Sequence, residues 1–213
     1  MSVFGQFHTI KQQSRFYKIE KVTDSSIPKT DTNVPKEALP SKTPAAKSKV
    51  PPTSAQLVSD SLRQQYINCY LSVSFPLQHL FVNSPFGQRK DPFTGQKRNH
   101  NGLDLRASSD EVYAMLSGTV KKTGENKRSG KYIVIEHGEF LVSYCHLSRI
   151  WIERGTQVKP GEIVGITGST GRSTGEHLHI TCRRDKKYVN PATLIQYIKE
   201  VKENSLKYLC NIQ

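Results

Sequence analysis

Histidine and aspartate residues with spacings suited to metal binding occur in two short stretches. In HNGLDLR, His100 precedes Asp104 by four residues. On a straight strand these side chains would lie roughly 13 Å apart, too far to share a zinc ion whose bonds are about 2 Å long. The Asn101-Gly102 pair between them favours a turn over a helix. If both residues are ligands, the sequence therefore predicts a bend at Asn101-Gly102 that makes them converge.

The second stretch is His177-Leu178-His179. On a strand, residues i and i+2 point to the same face, about 6.6 Å apart. Both imidazoles could then bind a metal, or one could bind while its neighbour faces a substrate. Leu178 would point to the opposite face, into the core.

A further histidine, His146, stands near the end of EFLVSYCHL. Alternation along a strand predicts that Tyr144 and His146 share one face and that Cys145 points away. Each of these settings taken alone is also typical of an ordinary solvated or core histidine. Their order and context together carry the argument.

The segments that would position these residues have the composition of short β-strands. Five stretches of high β-propensity are separated by Gly-rich turns, namely EVYAMLSGTVKK, KYIVIEHG, EFLVSYCHL, EIVGITG and HLHITCRR. The segment RGTQVKPGEIVGITG predicts a tight β-hairpin corner. We therefore predict a mainly β fold with a compact antiparallel sheet.

Helices are predicted on both sides of this region. SAQLVSDSLRQQY suits a short helix, and YLSVSFPL after it suits a strand that ends at Pro76. Near the C-terminus, Asn190 can cap a helix and Pro191 can open it. Apolar residues then recur at helical spacing, namely Leu194, Ile195, Ile198, Val201, Leu206 and Leu209.

The N-terminal part of the chain differs in composition from the rest. From Thr23 to about Ser54 it is rich in Pro, Lys, Ser and Thr and has almost no large apolar residue. Such a segment cannot bury enough surface to offset the entropy of ordering. We predict an N-terminal segment with a flexible, disordered linker over residues 1–55 and one folded domain with a C-terminal helix over residues 56–213.

The formal net charge of +13 favours polyanionic surroundings such as nucleic acid, an anionic membrane face or the bacterial wall. The basic residues are spread without a recognisable nucleic-acid module, so we expect no specific nucleic acid. No stretch approaches the roughly 20 apolar residues of a transmembrane helix. The start, MSVFGQFHTIKQQSRF, shows no ordinary signal peptide.

The four cysteines, Cys69, Cys145, Cys182 and Cys210, form no C-x-x-C pair, which argues against a thiolate zinc site. They could form two disulfides in an exported protein, but scattered cysteines are more often buried thiols. For Cys145 and Cys182 we predict core thiols.

From about Phe75 to Leu194 the chain resembles the lysostaphin-type, or LytM-like, zinc metallopeptidases that cut peptidoglycan. The matching stretches are SPFGQRKDPFTG, HNGLDLRA, VIEHGEFLVSYCHLS, VGITGSTGRSTGEHLHI and VNPATL. The resemblance implies a domain of the lysostaphin/LytM type, similar to a duplicated hybrid motif. It also implies a metalloendopeptidase that hydrolyses peptide bonds of the stem peptide or cross-bridge.

The same resemblance assigns roles to individual residues. It implies one zinc ion held by His100, Asp104 and His179, and catalytic roles for His146 and His177. Which of these two is the general base stays open. Three protein ligands leave a fourth position for an activated water, as in catalytic zinc sites. A wall substrate implies an extracytoplasmic site of action.

Several other residues have more than one interpretation. Arg89 could orient the site, contact substrate or form a salt bridge that fixes its loop. The basic run RRDKK at 183–187 could touch an anionic wall polymer but suits a hairpin tip. The glycines of GSTGRSTG suit a groove wall and not a phosphate loop. For His137 we predict a turn role, and His8 and His79 are predicted to be structural or exposed.

Two alternatives to an endopeptidase remain at this point. Some relatives of the family have lost ligands and act as wall-binding or activator modules, and no ligand is missing here. A nucleic-acid-binding protein is the other alternative, suggested by the charge alone.

Overall fold

A computed structural model describes residues 54–211. The predicted linker lies outside this range except for its last two residues, which belong to the first helix, and His8 lies outside it too. The described helices are α1 (Ser54–Leu71) and α2 (Pro191–Cys210). The described strands are β1 (Val82–Ser84), β2 (Gly87–Lys90), β3 (Lys97–His100), β4 (Leu103–Arg106), β5 (Glu111–Tyr113), β6 (Gly118–Asn126), β7 (Gly130–His137), β8 (Phe140–Leu147), β9 (Arg149–Ile150), β10 (Gln157–Val158), β11 (Ile163–Ile166), β12 (His177–Arg184) and β13 (Lys187–Val189).

The strands form three antiparallel sheets, which confirms the predicted fold class. The main sheet has eight strands in the order β1-β4-β12-β8-β7-β6-β10, and β13 pairs with β12. A second sheet has the order β5-β11-β9, and β2 pairs with β3 as a separate ribbon. All the pairings are antiparallel.

The central strand β12 shows how the main sheet separates its core from its functional face. Leu178 and Ile180 are fully buried, whereas His177 and His179 alternate to the opposite face. The prediction that Leu178 points into the core is confirmed. Burial of such side chains contributes roughly 1.5–3 kcal/mol each, which strongly disfavours a one-residue register slip that would bury the histidines instead.

The C-terminal helix begins as predicted. The Asn190 side chain accepts a hydrogen bond from the backbone of Ala192 at 3.0 Å, and Pro191 occupies the first turn. Leu194 and Ile198 are buried. Leu206, predicted on the apolar side, is instead exposed, and the buried residue of that turn is Ser205. The two helices contact each other through the stacked rings of Tyr66 and Tyr208, 3.7 Å apart.

Two local predictions are wrong. YLSVSFPL is not a strand, because α1 continues to Leu71 and only Val73 makes an isolated bridge, to Leu116. RGTQVKPGEIVGITG is not a hairpin, because β10 pairs with β6 in the main sheet while β11 pairs with β5 and β9 in the second sheet. The turn between them therefore carries the chain from one sheet to the other.

All four cysteines are free: Cys145 and Cys182 are buried, and Cys69 and Cys210 are exposed. The disulfide alternative is thus not realised in this structure. Neither described helix has the length and apolar character needed to cross a membrane.

Candidate metal centre

His100 and Asp104 converge because the chain bends between β3 and β4. His100 ends β3, and Asn101-Gly102 connects it to β4. His100 Nε2 lies 3.2 Å from Asp104 Oδ1, far closer than a straight strand permits. The predicted bend is confirmed.

The sheet register brings His179 to the same point. Asp104 on β4 pairs with His179 on β12. His179 Nδ1 lies 2.6 Å from Asp104 Oδ1 and 3.2 Å from His100 Nε2. Three side chains that are up to 79 positions apart in sequence therefore present their ligand atoms to one small space.

The donor set and its spacing fit zinc. Zinc in proteins takes nitrogen and oxygen ligands at about 2.0–2.2 Å with tetrahedral geometry, so two such ligand atoms lie about 3.3 Å apart. The three observed separations are 3.2, 3.2 and 2.6 Å. Two imidazoles and one carboxylate form a typical zinc donor set. The fit supports a mononuclear site with room for one further ligand on the groove side.

A close approach of the backbone at Gly102 supports this geometry. A Cβ atom at this position would lie 2.5 Å from His179 Cε1 and 2.5 Å from the carbonyl oxygen of Ile180. Any side chain at 102 would therefore displace His179 or the strand that carries it. Gly102 has no left-handed backbone angle, so the backbone conformation does not require a glycine here. The lack of space for a Cβ atom does.

Hydrogen bonds from neighbouring groups orient His100 and Asp104. His100 Nδ1 lies 2.7 Å from the carbonyl oxygen of Pro85, which can only accept, so Nδ1 carries the hydrogen and Nε2 offers its lone pair. Arg89 donates to Asp104 Oδ2 at 3.2 Å. Burial opposes ionisation of Asp104, but its contacts with the imidazoles of His100 and His179 outweigh it and hold the pKa of the carboxyl well below its usual range. The carboxylate is thus charged at neutral pH.

His146 lies beside these residues, but not for the predicted reason. Tyr144 points into the core, where its hydroxyl accepts a hydrogen bond from the backbone of Met115 at 3.2 Å, whereas Cys145 and His146 both line the groove. The prediction that Tyr144 and His146 share a face is therefore wrong. Alternation fails because His146 has φ of 64°, next to a register shift between β7 and β8. Such a backbone costs of order 1–3 kcal/mol and is concentrated at functional sites.

The imidazoles of His146 and His177 face each other, with ring centroids 4.8 Å apart. His146 Nδ1 donates to the carbonyl oxygen of Thr170 at 2.7 Å, and His177 Nδ1 donates to that of Gly175 at 2.8 Å. In a neutral ring that is bonded in this way, Nε2 is the acceptor. Burial lowers the pKa of His146 to about 4, so its ring is neutral at pH 7. His177 Nε2 lies 3.8 Å from Asp104 Oδ1, at the edge of the ligand cluster.

The other predicted residues lie where their structural interpretations place them. His137 is buried away from the groove, with Nδ1 3.1 Å from the carbonyl oxygen of Ser117. His79 is exposed. The RRDKK run forms the β12–β13 turn, with Asp185 and Lys186 at positive φ. Cys145 and Cys182 are both buried core thiols as predicted; Cys145 also lines the groove, and burial raises its pKa to about 12.

Sequence reasoning missed an ion-pair cluster at the mouth of the groove. Asp91, the residue directly after β2, accepts hydrogen bonds from Arg98 and from Arg172, a residue 81 positions away. The only signals in the sequence are an Asp that opens the turn DPFTG and an Arg within GSTGRSTG. Neither indicates the other as its partner.

The groove itself is rich in cations. Six basic residues line it against two carboxylates, Asp91 and Asp104. The six are Arg89, Arg98, Lys122, Arg128, Arg172 and Arg183. Such a lining attracts anionic ligands.

Comparison with known proteins agrees with the geometry. Residues 98–191 match the model of "Peptidase family M23". This segment belongs to peptidase family M23. The family match spans the three candidate zinc ligands and both neighbouring histidines.

Relatives of this M23 domain include enzymes that act on peptidoglycan. The peptidoglycan DD-endopeptidase ShyC of Vibrio cholerae is 36% identical over 122 residues, 56% of this chain and 28% of ShyC. The DD-carboxypeptidase/endopeptidase Mpg of Neisseria meningitidis is 36% identical over 121 residues, 56% of this chain and 28% of Mpg. The chain thus spans little more than a quarter of the length of these curated relatives.

Solved structures show the same fold. A zinc-containing peptidase from Vibrio cholerae is 32% identical with a TM-score of 0.52, over 56% of this chain and 39% of that one. Lysostaphin from Staphylococcus simulans is 25% identical with a TM-score of 0.53, over 62% of this chain and 55% of that one. The predicted lysostaphin-type fold is confirmed.

Proposed function

We propose that the domain is a zinc-dependent endopeptidase that hydrolyses peptide bonds of bacterial peptidoglycan, with His100, Asp104 and His179 as ligands. The observation that carries the proposal is the arrangement of five side chains at one point of an open groove. Three present ligand atoms within tetrahedral spacing. The other two are histidines whose acceptor nitrogens are turned towards the groove by backbone carbonyls.

The roles of the residues follow from their protonation states. Zinc bound there would polarise a scissile carbonyl and lower the pKa of a water molecule towards about 7. The Nε2 atoms of His146 and His177 are placed to accept a proton and then deliver one to the leaving amine. A ring in the protonated state can instead donate a hydrogen bond to a developing oxyanion. Arg89 holds Asp104 in its orientation, which is a positioning role, and it also lines the groove in which substrate would lie.

The charge of the groove supports a substrate with free carboxylates. Lys122, Arg128 and Arg183 form no ion pair with any carboxylate of the described residues. Lys122 and Arg183 lie over the rings of Tyr132 and Tyr188, at 5.6 and 5.8 Å. An acidic stem peptide complements this surface better than an uncharged cross-bridge. The same cations could hold an anionic wall polymer.

The relatives' action on peptidoglycan supports an extracytoplasmic site of action for this chain as well. Detection of the protein in separated cytoplasmic, periplasmic and wall fractions tests that location. We assign residues 1–55 to a linker preceding the domain, which limited proteolysis of the full chain can test.

The experiment that tests the function combines zinc analysis with digestion of purified wall. The native chain should bind one zinc ion and release new amino termini from peptidoglycan, and a chelator should abolish the release. His179→Ala should lose both properties, whereas His79→Ala, at an exposed position outside the groove, should retain them. Wall binding without new amino termini in the zinc-loaded native chain would favour a non-enzymatic binding module instead.

A further inference from the structure

The loop from Thr170 to Gly175 supplies the carbonyl groups that orient both non-ligand histidines. The carbonyl of Thr170 accepts from His146 Nδ1 at 2.7 Å, and that of Gly175 accepts from His177 Nδ1 at 2.8 Å. A carbonyl oxygen can only accept, so each contact fixes the tautomer and the ring angle of its histidine. The position of this loop therefore determines where both Nε2 atoms point.

The first part of the loop is anchored to the sheet. The hydroxyl of Thr170 donates to the carbonyl of Leu147 at 2.7 Å and accepts from the backbone of Lys131 at 2.9 Å. A Cβ on Gly171 would clash with the backbone of Gly130, and a Cβ on Gly130 would clash with Thr170. These contacts hold the carbonyl that orients His146.

The second part of the loop is joined to the opposite side of the groove through Arg172. One guanidinium nitrogen of Arg172 lies 3.0 and 3.2 Å from the two carboxylate oxygens of Asp91, and the guanidinium lies 4.5 Å from the ring centre of Phe93. Asp91 and Phe93 belong to the β2–β3 ribbon, which continues into His100. The contact thus connects the loop that orients His146 and His177 to the ribbon that carries a candidate ligand.

Asp91 is built to hold this contact. Its side chain is 7% exposed and accepts from the backbone of Phe93 at 2.9 Å, from Thr94 at 3.2 Å and from Arg98 at 3.1 Å. The backbone bond from Phe93 is the largest of the effects that lower the pKa of Asp91 to about 2. The carboxylate is therefore ionised, and the bonds from Phe93 and Thr94 hold it in place beside Arg172.

We propose that the Arg172–Asp91 pair is a clamp that positions His177, the non-ligand histidine oriented by the Gly175 end of the loop, relative to the ribbon that carries His100. This inference rests on the proposed endopeptidase function. Arg172 and Asp91 are positioning residues: their side chains act on the loop and the ribbon, and the histidines act on the substrate. Loss of the clamp would let the Gly175 end of the loop move, so that the His177 ring would no longer be fixed, while the zinc ligands would remain in place.

Two variants and one matched control test the clamp. Asp91→Asn removes the charge but keeps an oxygen that can accept from Phe93 and Thr94, so the turn should persist. Arg172→Gln removes the guanidinium. Arg184→Gln is the control, because Arg184 also pairs with a carboxylate, Glu139 at 3.0 Å, and lies over an aromatic ring, but does not line the groove.

The measurements are zinc content, kcat and KM on soluble peptide dimers released from peptidoglycan, and nitrogen-15 NMR of the imidazole rings. In both clamp variants we expect unchanged zinc content, kcat lowered by about tenfold or more, and KM changed by less than about threefold. The double variant should be no worse than Asp91→Asn alone, because Arg172→Gln removes a contact that Asp91→Asn has already broken, whereas Asp91→Asn also removes the pair with Arg98. The NMR signals of His177 should change from a single Nδ1-protonated tautomer to a mixture.

Different results would overturn different claims. If the native chain cleaves no peptide, the proposed function fails, and the tautomer measurement still tests the clamp. If the clamp variants keep native kcat and a single His177 tautomer, the clamp is wrong. Effects of the two substitutions that multiply in the double variant would also overturn it, since the residues would then act separately. Equal losses in Arg184→Gln would show a general effect of removing surface arginines.

Discussion

The two sides of the groove hold their histidines in different ways. On the strand side, the Asn101-Gly102 bend after β3 brings His100 to Asp104, and the pairing of β12 with β4 brings His179 there. On the loop side, His146 and His177 are each oriented by one backbone carbonyl of the loop at 170–175. The proposed metal binding therefore depends on a backbone bend and on the register of a buried sheet, whereas the orientation of the other two histidines depends on a loop and its anchors.

The largest expected difference between the two sides is the loss of zinc. Asp104→Ala removes the oxygen shared by both ligand histidines and should abolish zinc binding together with activity. His146→Ala should lower activity by at least about a thousandfold but retain one zinc ion per chain. Metal analysis and wall digestion of both variants measure this. Loss of zinc in His146→Ala would mean that the two sides are not separable.

Adding one methyl group to a glycine should affect the two sides unequally. Gly102→Ala places a Cβ 2.5 Å from the His179 ring and should weaken zinc affinity by roughly 10–100-fold. Gly175→Ala meets no atom within 4 Å and has no positive φ, so zinc affinity and activity should stay within about twofold. Competition with a chromogenic chelator gives the affinities. Equal zinc affinity for the two alanine variants would contradict the packing argument.

A smaller effect on zinc affinity is expected from Arg89, which contacts the proposed ligand Asp104. The Arg89 side chain, which donates to Asp104 Oδ2, is one-third exposed to solvent. Arg89→Gln removes this donor and should weaken zinc affinity by about tenfold. Arg98→Gln is the control on the same ribbon, because Arg98 pairs with Asp91 and not with a ligand. The same chelator competition measures both. A KM effect of Arg89→Gln without a change in zinc affinity would instead support a direct substrate contact.

Substitution of His137 in the core should have the smallest effect on the site. Its expected effect is on the stability of the fold. Burial lowers the pKa of His137 from 6.5 to about 4. As the pH falls, His137 of the unfolded chain takes up a proton before His137 of the folded chain does. The contribution of His137 to the free energy of unfolding is therefore present above pH 6.5. That contribution is lost as the pH falls to 4, by of order 2–3 kcal/mol. In urea unfolding, His137→Asn should lose less stability between pH 6.5 and 4 than the native chain does. If His137→Asn and the native chain lost the same free energy of unfolding between pH 6.5 and 4, His137 would not cause the loss.

The strand side could be predicted from the sequence to a large extent. The i, i+2 spacing of His177 and His179 and the Asn-Gly bend before Asp104 are local signals, and the structure has both. Local geometry alone did not decide which residues would be ligands. That assignment came from the resemblance to a known family.

The loop side could not be predicted in the same way. The position of His146 depends on a left-handed backbone angle and a register shift against β7, neither of which alternation can show. The pairing of Arg172 with Asp91 joins residues 81 positions apart whose neighbours give no sign of contact. The α1 helix continues to Leu71 through a stretch that alternates like a strand, because its Tyr66 and Tyr70 pack on α2.

X-ray absorption at the zinc edge of the purified native chain tests the central claim most directly. We expect one zinc ion per chain with nitrogen and oxygen ligands at about 2.0–2.1 Å, two of them imidazoles, as the spacing of His100, Asp104 and His179 requires. Cys145 lines the same groove as a buried, protonated thiol and should not contribute. A sulfur shell near 2.3 Å, or the same spectrum from His179→Ala, would contradict the account.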